Sequence, residues 1–259
     1  MQRIHLKKEA LLRLFFSCLL ICTLFPTSGW AQMTKEQLQA TKTRCVQKGN
    51  PVSCAKVGVY LEQKGLKKQA ASFYKRACSD ALKPQGMACY LLGLLDTAHA
   101  MTHFSRACKL NDADGCTSAG ILLRKQSKPK MAASFFVKGC QLKDGRGCHR
   151  MARQLFRTNK TKLALQYLAS SCGFGYPPGC GYAGWYYETK GKAPQKAEAL
   201  YRKGCKLKGS ISCARLGLLL ARQRKFRPAL RFLRRSCRWG FRRGCGLARK
   251  LNAQLKSKP

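Results

Sequence analysis

The stretch 108–116, CKLNDADGC, decides the fold of this chain, because its two cysteines recur with the same seven-residue gap. Four later pairs repeat that gap: Cys140/Cys148, Cys172/Cys180, Cys205/Cys213 and Cys237/Cys245. Cys45/Cys54 and Cys78/Cys89 are looser copies, with one and three extra residues. From Cys108 onward the first cysteine of a pair returns every 32 or 33 residues, a period typical of solenoids built from helix pairs.

Each period predicts two helices, which we name A and B. The second cysteine of a pair opens helix A, and a glycine follows four residues later in five of seven copies: Gly58, Gly93, Gly120, Gly184 and Gly217. Ala152 and Arg249 take that place in the other two copies. Helix B carries an alanine eight residues before the next cysteine and a large apolar residue four before it: Tyr74, Phe104, Phe136, Leu168, Tyr201 and Leu233. Offsets of four share a helical face, so we expect the small residues to permit close helix packing and the large residue to fill the gap to the next repeat.

The array as a whole predicts an all-α chain of about six αα-hairpins, with a half unit at each end. The first half unit is one short helix over residues 34–48 with Thr34 as its N-cap, and the last begins at Cys245. The unit between Cys89 and Cys108 is five residues shorter than its neighbours. We assign the missing residues to the turn between its two helices.

The N-terminus has the layout of a signal peptide. A basic start precedes an apolar run over residues 11–25, and small residues lie three and one positions before a cut after Ala31. We therefore expect a signal peptide, 1–31, and a mature solenoid, 32–259, in the periplasm or outside the cell. Cleavage leaves fourteen cysteines, an even number, in an oxidising compartment, and no later segment is apolar enough to span a membrane.

The composition excludes several classes of protein. The chain has 51 Lys+Arg against 10 Asp+Glu, a net charge of +41, so it repels itself. Its hydrophobic content of 45% argues against disorder. No C-x2-C pair occurs, which argues against zinc. His99 and His103 lie four residues apart without a third ligand, so we predict no metal site, and we expect no cofactor.

The cysteines can pair in two regular ways. Pairing within a hairpin, such as Cys54 with Cys78, leaves Cys45 and Cys245 without partners. Pairing across the B-to-A loop leaves none over and explains why this gap is nearly constant, so we predict seven such disulfides: Cys45–Cys54, Cys78–Cys89, Cys108–Cys116, Cys140–Cys148, Cys172–Cys180, Cys205–Cys213 and Cys237–Cys245. Each short loop closure contributes about 2.5–3 kcal/mol in the chain-entropy model.

An alanine eight residues before a cysteine, a short loop and a C-x3-G start to helix A resemble the Sel-one-like repeat, a relative of the tetratricopeptide repeat. The paired cysteines are similar to those of exported bacterial cysteine-rich repeat proteins, the Hcp group, often labelled beta-lactamase-like. The resemblance covers residues 34–256. It implies a right-handed αα superhelix, disulfides between neighbouring hairpins and protein or peptide binding, with penicillin binding or weak lactam hydrolysis in some members.

Solenoids of this kind present helix A on a concave face. Helical periodicity places the third, fourth and seventh residues after the cysteine in the core, so the second and fifth should face the groove. On this basis we predict a binding groove with these basic and aromatic members: Lys56, Arg150, Arg153, Tyr182, Trp185 and Arg215. The partner we expect there is a protein or peptide, and we expect the chain to be a monomer.

A second candidate surface lies near the C-terminus. After Glu198 the sequence has 19 Lys+Arg and no acidic residue. The densest part is a basic patch of five arginines around Trp239 and Phe241: Arg234, Arg235, Arg238, Arg242 and Arg243. Such a patch favours an anionic envelope component, whereas export and the lack of a recognised motif disfavour nucleic acid. The alternative is that these are solvated arginines of a basic chain.

An enzymatic function has little support in the residues. Three S-x-x-K spacings occur, but chance alone explains that number, and no S-D-N or K-T-G element accompanies them. We therefore predict no catalytic residue and interpret the chain as an exported binding scaffold. The alternatives are a beta-lactamase-like penicillin-binding hydrolase and a secreted effector or adhesion factor that binds anionic host or envelope molecules.

Overall fold

The computed structural model describes residues 33–79 and 84–256, and this part of the chain contains fourteen α-helices and no strand. In chain order they are α1 (Lys35–Val46), α2 (Pro51–Gln63), α3 (Lys67–Ala77), α4 (Gly86–Leu95), α5 (Ala100–Lys109), α6 (Ala113–Lys125), α7 (Pro129–Gln141), α8 (Gly145–Arg157), α9 (Thr161–Gly173), α10 (Pro177–Thr189), α11 (Pro194–Lys206), α12 (Ser210–Arg222), α13 (Phe226–Arg238) and α14 (Arg242–Lys256). The signal-peptide prediction, 1–31, lies outside the described residues. None of the described helices is long and apolar enough to cross a membrane.

The chain divides into two compact units, one up to Pro84 and one from Gln85 onward. The first contains α1 and the hairpin α2–α3, and the second contains five hairpins and the final helix α14. In the second unit each helix packs against the next, and the A helices α4, α6, α8, α10 and α12 also contact one another in that order. The all-α αα-hairpin solenoid with a half unit at each end is therefore confirmed, and the A helices of the second unit form a continuous row.

The recurring glycine is the place where the two helices of a hairpin meet. A Cβ atom added to Gly120 on α6 would lie 2.6 Å from Cε1 of Phe136 on α7, and one added to Gly184 would lie 2.7 Å from the ring of Tyr201. Both rings are fully buried. Five of the six large helix-B residues therefore cover the glycine of their own hairpin. Phe104, Leu168 and Tyr201 also share core clusters with Ala119, Ala183 and Leu216 of the following hairpin, so the expectation that they fill the gap to the next repeat is confirmed. The close packing that we inferred from the small residues is present.

The helices begin three residues before the second cysteine, and not at the cysteine as we expected. Polar N-caps fix three of these starts: Asn50, Asp112 and Asp144 each accept a hydrogen bond from a backbone N–H in the first turn, at 2.8, 2.7 and 2.8 Å. After α7 the chain needs only Leu142, the left-handed Lys143 (φ 64°) and the cap Asp144 before α8 begins. This three-residue connection explains the constant seven-residue gap.

The short repeat loses its residues from the helices. Helices α4 and α5 have ten residues each, against thirteen in the helices from α6 to α13, while the turn between them keeps four residues. Our assignment of the loss to the turn was wrong. The turn is held by Asp96, whose carboxylate accepts a hydrogen bond from the His99 backbone N–H at 3.3 Å and contacts the rings of His99 and His103. The hydrogen bond with His103 is the main cause that lowers the pKa of Asp96.

Six disulfides across B-to-A loops are present in the described residues: Cys45–Cys54, Cys108–Cys116, Cys140–Cys148, Cys172–Cys180, Cys205–Cys213 and Cys237–Cys245. Their Cα atoms lie 4.4–4.7 Å apart. The partnership of Cys78 with Cys89 stays a prediction. Because each bridge closes a short loop between consecutive hairpins, it fixes the direction in which helix A leaves helix B.

Candidate binding groove

A cavity of about 600 Å³ opens on the row of A helices in the second unit. Its walls come from α8, from the first three turns of α10, and from the start of α12 with the preceding loop. The residues that line it include His149, Arg153, Tyr182, Trp185, Ile211 and Arg215. Pro177, Pro178 and the half-exposed Ile211 add apolar surface at the rim, and Lys208 adds a positive charge. The cavity therefore combines apolar and aromatic surface with cationic groups.

Four of the six predicted groove residues meet in this cavity: Arg153, Tyr182, Trp185 and Arg215. The periodic pattern predicted these four residues correctly as cavity members, because the second and fifth residues after the cysteine lie on the exposed side of helix A. Arg150 is on α8 one turn before Arg153 and does not line the cavity. Lys56 belongs to α2 in the first unit, where it is exposed. The role of all six in binding stays a prediction.

Aromatic rings form one wall of the cavity and the layer beneath it. The Tyr182 and Trp185 ring centroids are 5.3 Å apart, and Tyr182 lies 5.8 Å from Phe156 of α8. Phe156 in turn lies 5.7 Å from Tyr186. Such tilted ring contacts stabilise beyond area burial. The wall is therefore rigid, and its exposed faces offer a stacking surface to an apolar or planar group.

His149 is the buried polar residue of the cavity. Its side chain is 9% exposed, and its ring lies 5.6 Å from Tyr176 and 5.8 Å from Tyr182. Burial, followed by the charges of Arg153 and Arg150, lowers the pKa of His149 to about 4, so the imidazole is neutral at pH 7. Among the described residues, no group donates to or accepts from its Nδ1. An unsatisfied buried nitrogen is uncommon and calls for a partner.

Arg215, which lines the cavity on α12, is held by the mostly buried Glu188. Its carboxylate accepts hydrogen bonds from the Tyr201 hydroxyl at 2.6 Å and from Arg222 at 2.7 Å, and it lies 3.6 Å from Arg215. Burial, followed by the hydrogen bond to Glu188, raises the pKa of Tyr201. Glu188 thus positions Arg215 at the cavity and reduces the positive charge on that side. No carboxylate in the described residues does the same for Arg153.

Sequence reasoning missed several members of the site. His149 directly follows a cysteine, a position that is buried in Ala55, Thr117 and Ala214 and therefore indicated core. A bulky polar residue at such a position was a usable signal. Ile211 and the two prolines belong to the loop ends, which helical periodicity does not cover.

The predicted basic patch near the C-terminus is a different kind of surface. Its five arginines are all exposed. The Arg235 guanidinium lies 5.8 Å from the ring centroids of Phe232 and Trp239, and Arg234 donates a hydrogen bond to Asn252 at 3.2 Å.

The described residues provide no group of three metal-ligating side chains with suitable geometry.

The structure is similar to solved repeat proteins. A protective antigen of uropathogenic Escherichia coli with an SLR fold superposes with a TM-score of 0.68 at 16% identity over 86% of this chain and 52% of the antigen. The fold is a Sel1-type repeat fold. A Sel1 repeat protein of Oxalobacter formigenes gives a TM-score of 0.63 at 16% identity over 75% of this chain and 86% of that protein. The APC/C hetero-tetramer Cut9-Hcn1 gives a TM-score of 0.56 at 14% identity, over 84% of this chain and 46% of the matched chain.

The Sel1-type likeness rests on structure. No family model matches the sequence, and no curated protein matches it. The chain spans about half the length of the Escherichia coli antigen. Because the identities are low, these neighbours share only the Sel1-type fold with this chain. A function for the cavity must therefore be inferred from the residues that line it.

Proposed function

We propose that the chain is an exported, disulfide-stabilised Sel1-type scaffold whose cavity binds an exposed segment of a partner protein. The observation that carries the proposal is the composition of the cavity. Rigid aromatic faces and an exposed isoleucine stand beside the cations Arg153, Lys208 and Arg215. Interfaces that recognise protein segments combine a buried aromatic or aliphatic anchor with polar groups that fix orientation.

The scaffold suits this task because it is held in place before binding. Each bridged B-to-A loop fixes two neighbouring hairpins, and Glu188 holds Arg215 through its carboxylate. A preorganised site loses less entropy when a ligand binds. The disulfides also support export, since bridges of this density persist in oxidising compartments.

Tryptophan fluorescence offers a direct test. Trp30 lies in the predicted signal peptide, so the exported chain keeps Trp185 at the cavity and Trp239 in the basic patch. Peptides selected from a displayed random library on the oxidised exported chain should change the emission of the W239F variant, which reports only Trp185. The same peptides should leave the emission of W185F unchanged.

A matched pair of truncations completes the test. Trp185→Ala should weaken peptide binding at least 10-fold, because the cavity loses one of its aromatic rings. Trp239→Ala should change the affinity less than two-fold. Equal effects of the two truncations, or selected peptides that report only through Trp239, would refute the proposal.

The beta-lactamase-like alternative makes a separate prediction. A penicillin-binding hydrolase would be labelled covalently by a fluorescent penicillin, and a protein-binding scaffold would not. Lys208, Ser210 and Ser212 line the cavity, but none of the three S-x-x-K spacings of the sequence contributes a residue to it. We therefore retain peptide binding as the function that this site supports.

A further inference from the structure

The cavity continues into a cluster of arginines on the A helices α6 and α8. We name as the arginine cluster these four residues: Arg124 on α6, and Arg150, Arg153 and Arg157 on α8. The three members on α8 follow one another at offsets of three and four, so they share one face of that helix. Arg153 also lines the cavity, which makes the cluster and the cavity one continuous surface.

The members are close enough to affect one another. Partial burial, and after it the positive charges of the other three members, lower the pKa of Arg124. Like charges at helical offsets of three and four destabilise a helix. The cluster is therefore a cost to the folded state unless something else compensates it.

The carboxylates of the second unit do not provide that compensation. Those described in this unit bind elsewhere: Asp96 to two histidines, Asp112 to a helix start, Asp114 and Asp144 to Arg146, Glu188 to Arg215 and Arg222, and Glu198 to Arg202. Within residues 33–79 and 84–256, no salt bridge involves a member of the arginine cluster. No described carboxylate thus pairs with any of the four guanidinium groups, and one of them, Arg153, lines the cavity.

A second and independent observation points to a ligand at this place. His149 lines the cavity, is nine-tenths buried, and has no partner for Nδ1 among the described residues. It is held between the rings of Tyr176 and Tyr182. The surface therefore presents unsatisfied polar groups in both of its parts, the cavity and the cluster.

The geometry points to an acidic tract in the bound segment: the arginine cluster binds consecutive carboxylates, and the cavity binds an apolar or aromatic side chain next to them. This inference rests on the proposed function and specifies its ligand. Arginine is suited to the task because its planar donors match a carboxylate in a bidentate fashion. A polyanion without side chains would satisfy the cluster and leave the aromatic wall unused.

Helix geometry sets the length of the tract. The seven residues from Arg150 to Arg157 correspond to a rise of about 10 Å along α8. An extended peptide advances about 3.3 Å per residue. The cluster therefore spans about three residues of a bound peptide, and the apolar residue should follow or precede the acidic tract by only a few positions.

Labelled synthetic peptides test the inference by fluorescence anisotropy. One series of 12-residue peptides carries three consecutive glutamates and a Phe-Leu pair at separations from zero to four residues, and a second series has glutamines in place of the glutamates. We expect the best acidic peptide to bind the oxidised exported chain at least 10-fold more tightly than its glutamine counterpart. Binding should also weaken as salt rises.

Two double variants separate the cluster from the net charge. R124Q/R157Q removes two cluster members that do not line the cavity, and R227Q/R231Q removes two exposed arginines of α13. The first variant should reduce the acidic preference to below three-fold, and the second should preserve it. The first should also have a Tm at or above that of the unaltered chain, since removal of like charges relieves repulsion, so a loss of binding cannot be attributed to unfolding.

The outcomes distinguish this inference from the proposed function. If both peptide series bind equally well and depend on Trp185, the scaffold function stands and the acidic tract is refuted. If the two double variants lose the same affinity, general charge attraction explains the preference and the cluster is not the site. If dextran sulfate binds the cluster as tightly per charge as the best acidic peptide, the ligand is a polyanion and the assignment to a peptide fails.

Discussion

The contact between helix-A glycines and helix-B aromatic rings can be tested at Gly120. An alanine Cβ at this position would lie 2.6 and 2.8 Å from two carbon atoms of Phe136, and 3.2 Å from the carbonyl oxygen of Ala132. Phe136 is fully buried, so its ring has no free space into which it can move. Overpacking of this kind costs about 1–3 kcal/mol, and we expect the upper half of that range.

The gain in helix propensity opposes this cost and must be measured separately. Alanine is about 1 kcal/mol more favourable than glycine inside a helix. Gly246 on α14 provides the control, because a Cβ there would have no neighbour within 4 Å. Gly246→Ala should raise the free energy of unfolding by up to about 1 kcal/mol, whereas Gly120→Ala should lower it by about 1–2 kcal/mol.

The chain itself suggests a variant that rescues the clash. The hairpin α8–α9 uses Ala152 opposite Leu168, both fully buried, in place of glycine opposite an aromatic ring. The double variant G120A/F136L copies this pair and should recover at least about 1 kcal/mol relative to the sum of the two single changes. Guanidinium unfolding followed by circular dichroism compares the oxidised unaltered chain with Gly120→Ala, Phe136→Leu, G120A/F136L and Gly246→Ala. If Gly120→Ala is as stable as Gly246→Ala, the glycine is not a packing requirement.

Two further predictions concern buried polar groups. The pKa of His149 falls from 6.5 to about 4 on folding, so below pH 6.5 the unfolded chain binds a proton that the folded chain does not. The free energy of unfolding should therefore fall by about 3 kcal/mol from pH 6.5 to pH 4. His149→Phe should abolish this part of the pH dependence in urea unfolding, and an unchanged slope would refute the prediction. Glu188→Ala should lower the free energy of unfolding by about 2 kcal/mol, because the buried Tyr201 hydroxyl loses its acceptor. Glu198→Ala removes an exposed pair with Arg202 and should lower it by less than about 1 kcal/mol. Thermal unfolding of the two variants compares these losses.

Repetition made the fold predictable from the sequence. One glycine or one aromatic residue has many explanations, but the same offsets in successive units require a common hairpin. The starts of the helices were less predictable because we gave the cysteine the role of first residue. The signal for the true start was present in Asn50, Asp112 and Asp144, which are good N-caps four residues before the second cysteine. The short repeat misled us because sequence length alone does not say whether a turn or a helix has shrunk.

The candidate site was predictable only where it lies on regular helix. Tyr182, Trp185, Arg153 and Arg215 follow from the exposed side of helix A. Arg124 was not predicted, because it lies eight residues after Cys116, near the end of α6, and the prediction used only the second and fifth residues after the cysteine. Contacts between successive A helices depend on the stacking of hairpins, which a periodic pattern within one hairpin does not encode.

The distribution of charge decides between a general basic bias and a functional surface. A bias alone would place arginines without regard to aromatic surface or to the few available carboxylates. In the second unit, carboxylates support helix starts, the Tyr201 hydroxyl and the arginine positioned beside the cavity. The exposed Arg235 of the basic patch lies 5.8 Å from the centroids of two aromatic rings. The arginine cluster has neither kind of support among the described residues, although it adjoins the aromatic cavity. Because an uncompensated cluster at this place lowers stability, its presence is best explained by an anionic ligand that binds the same surface.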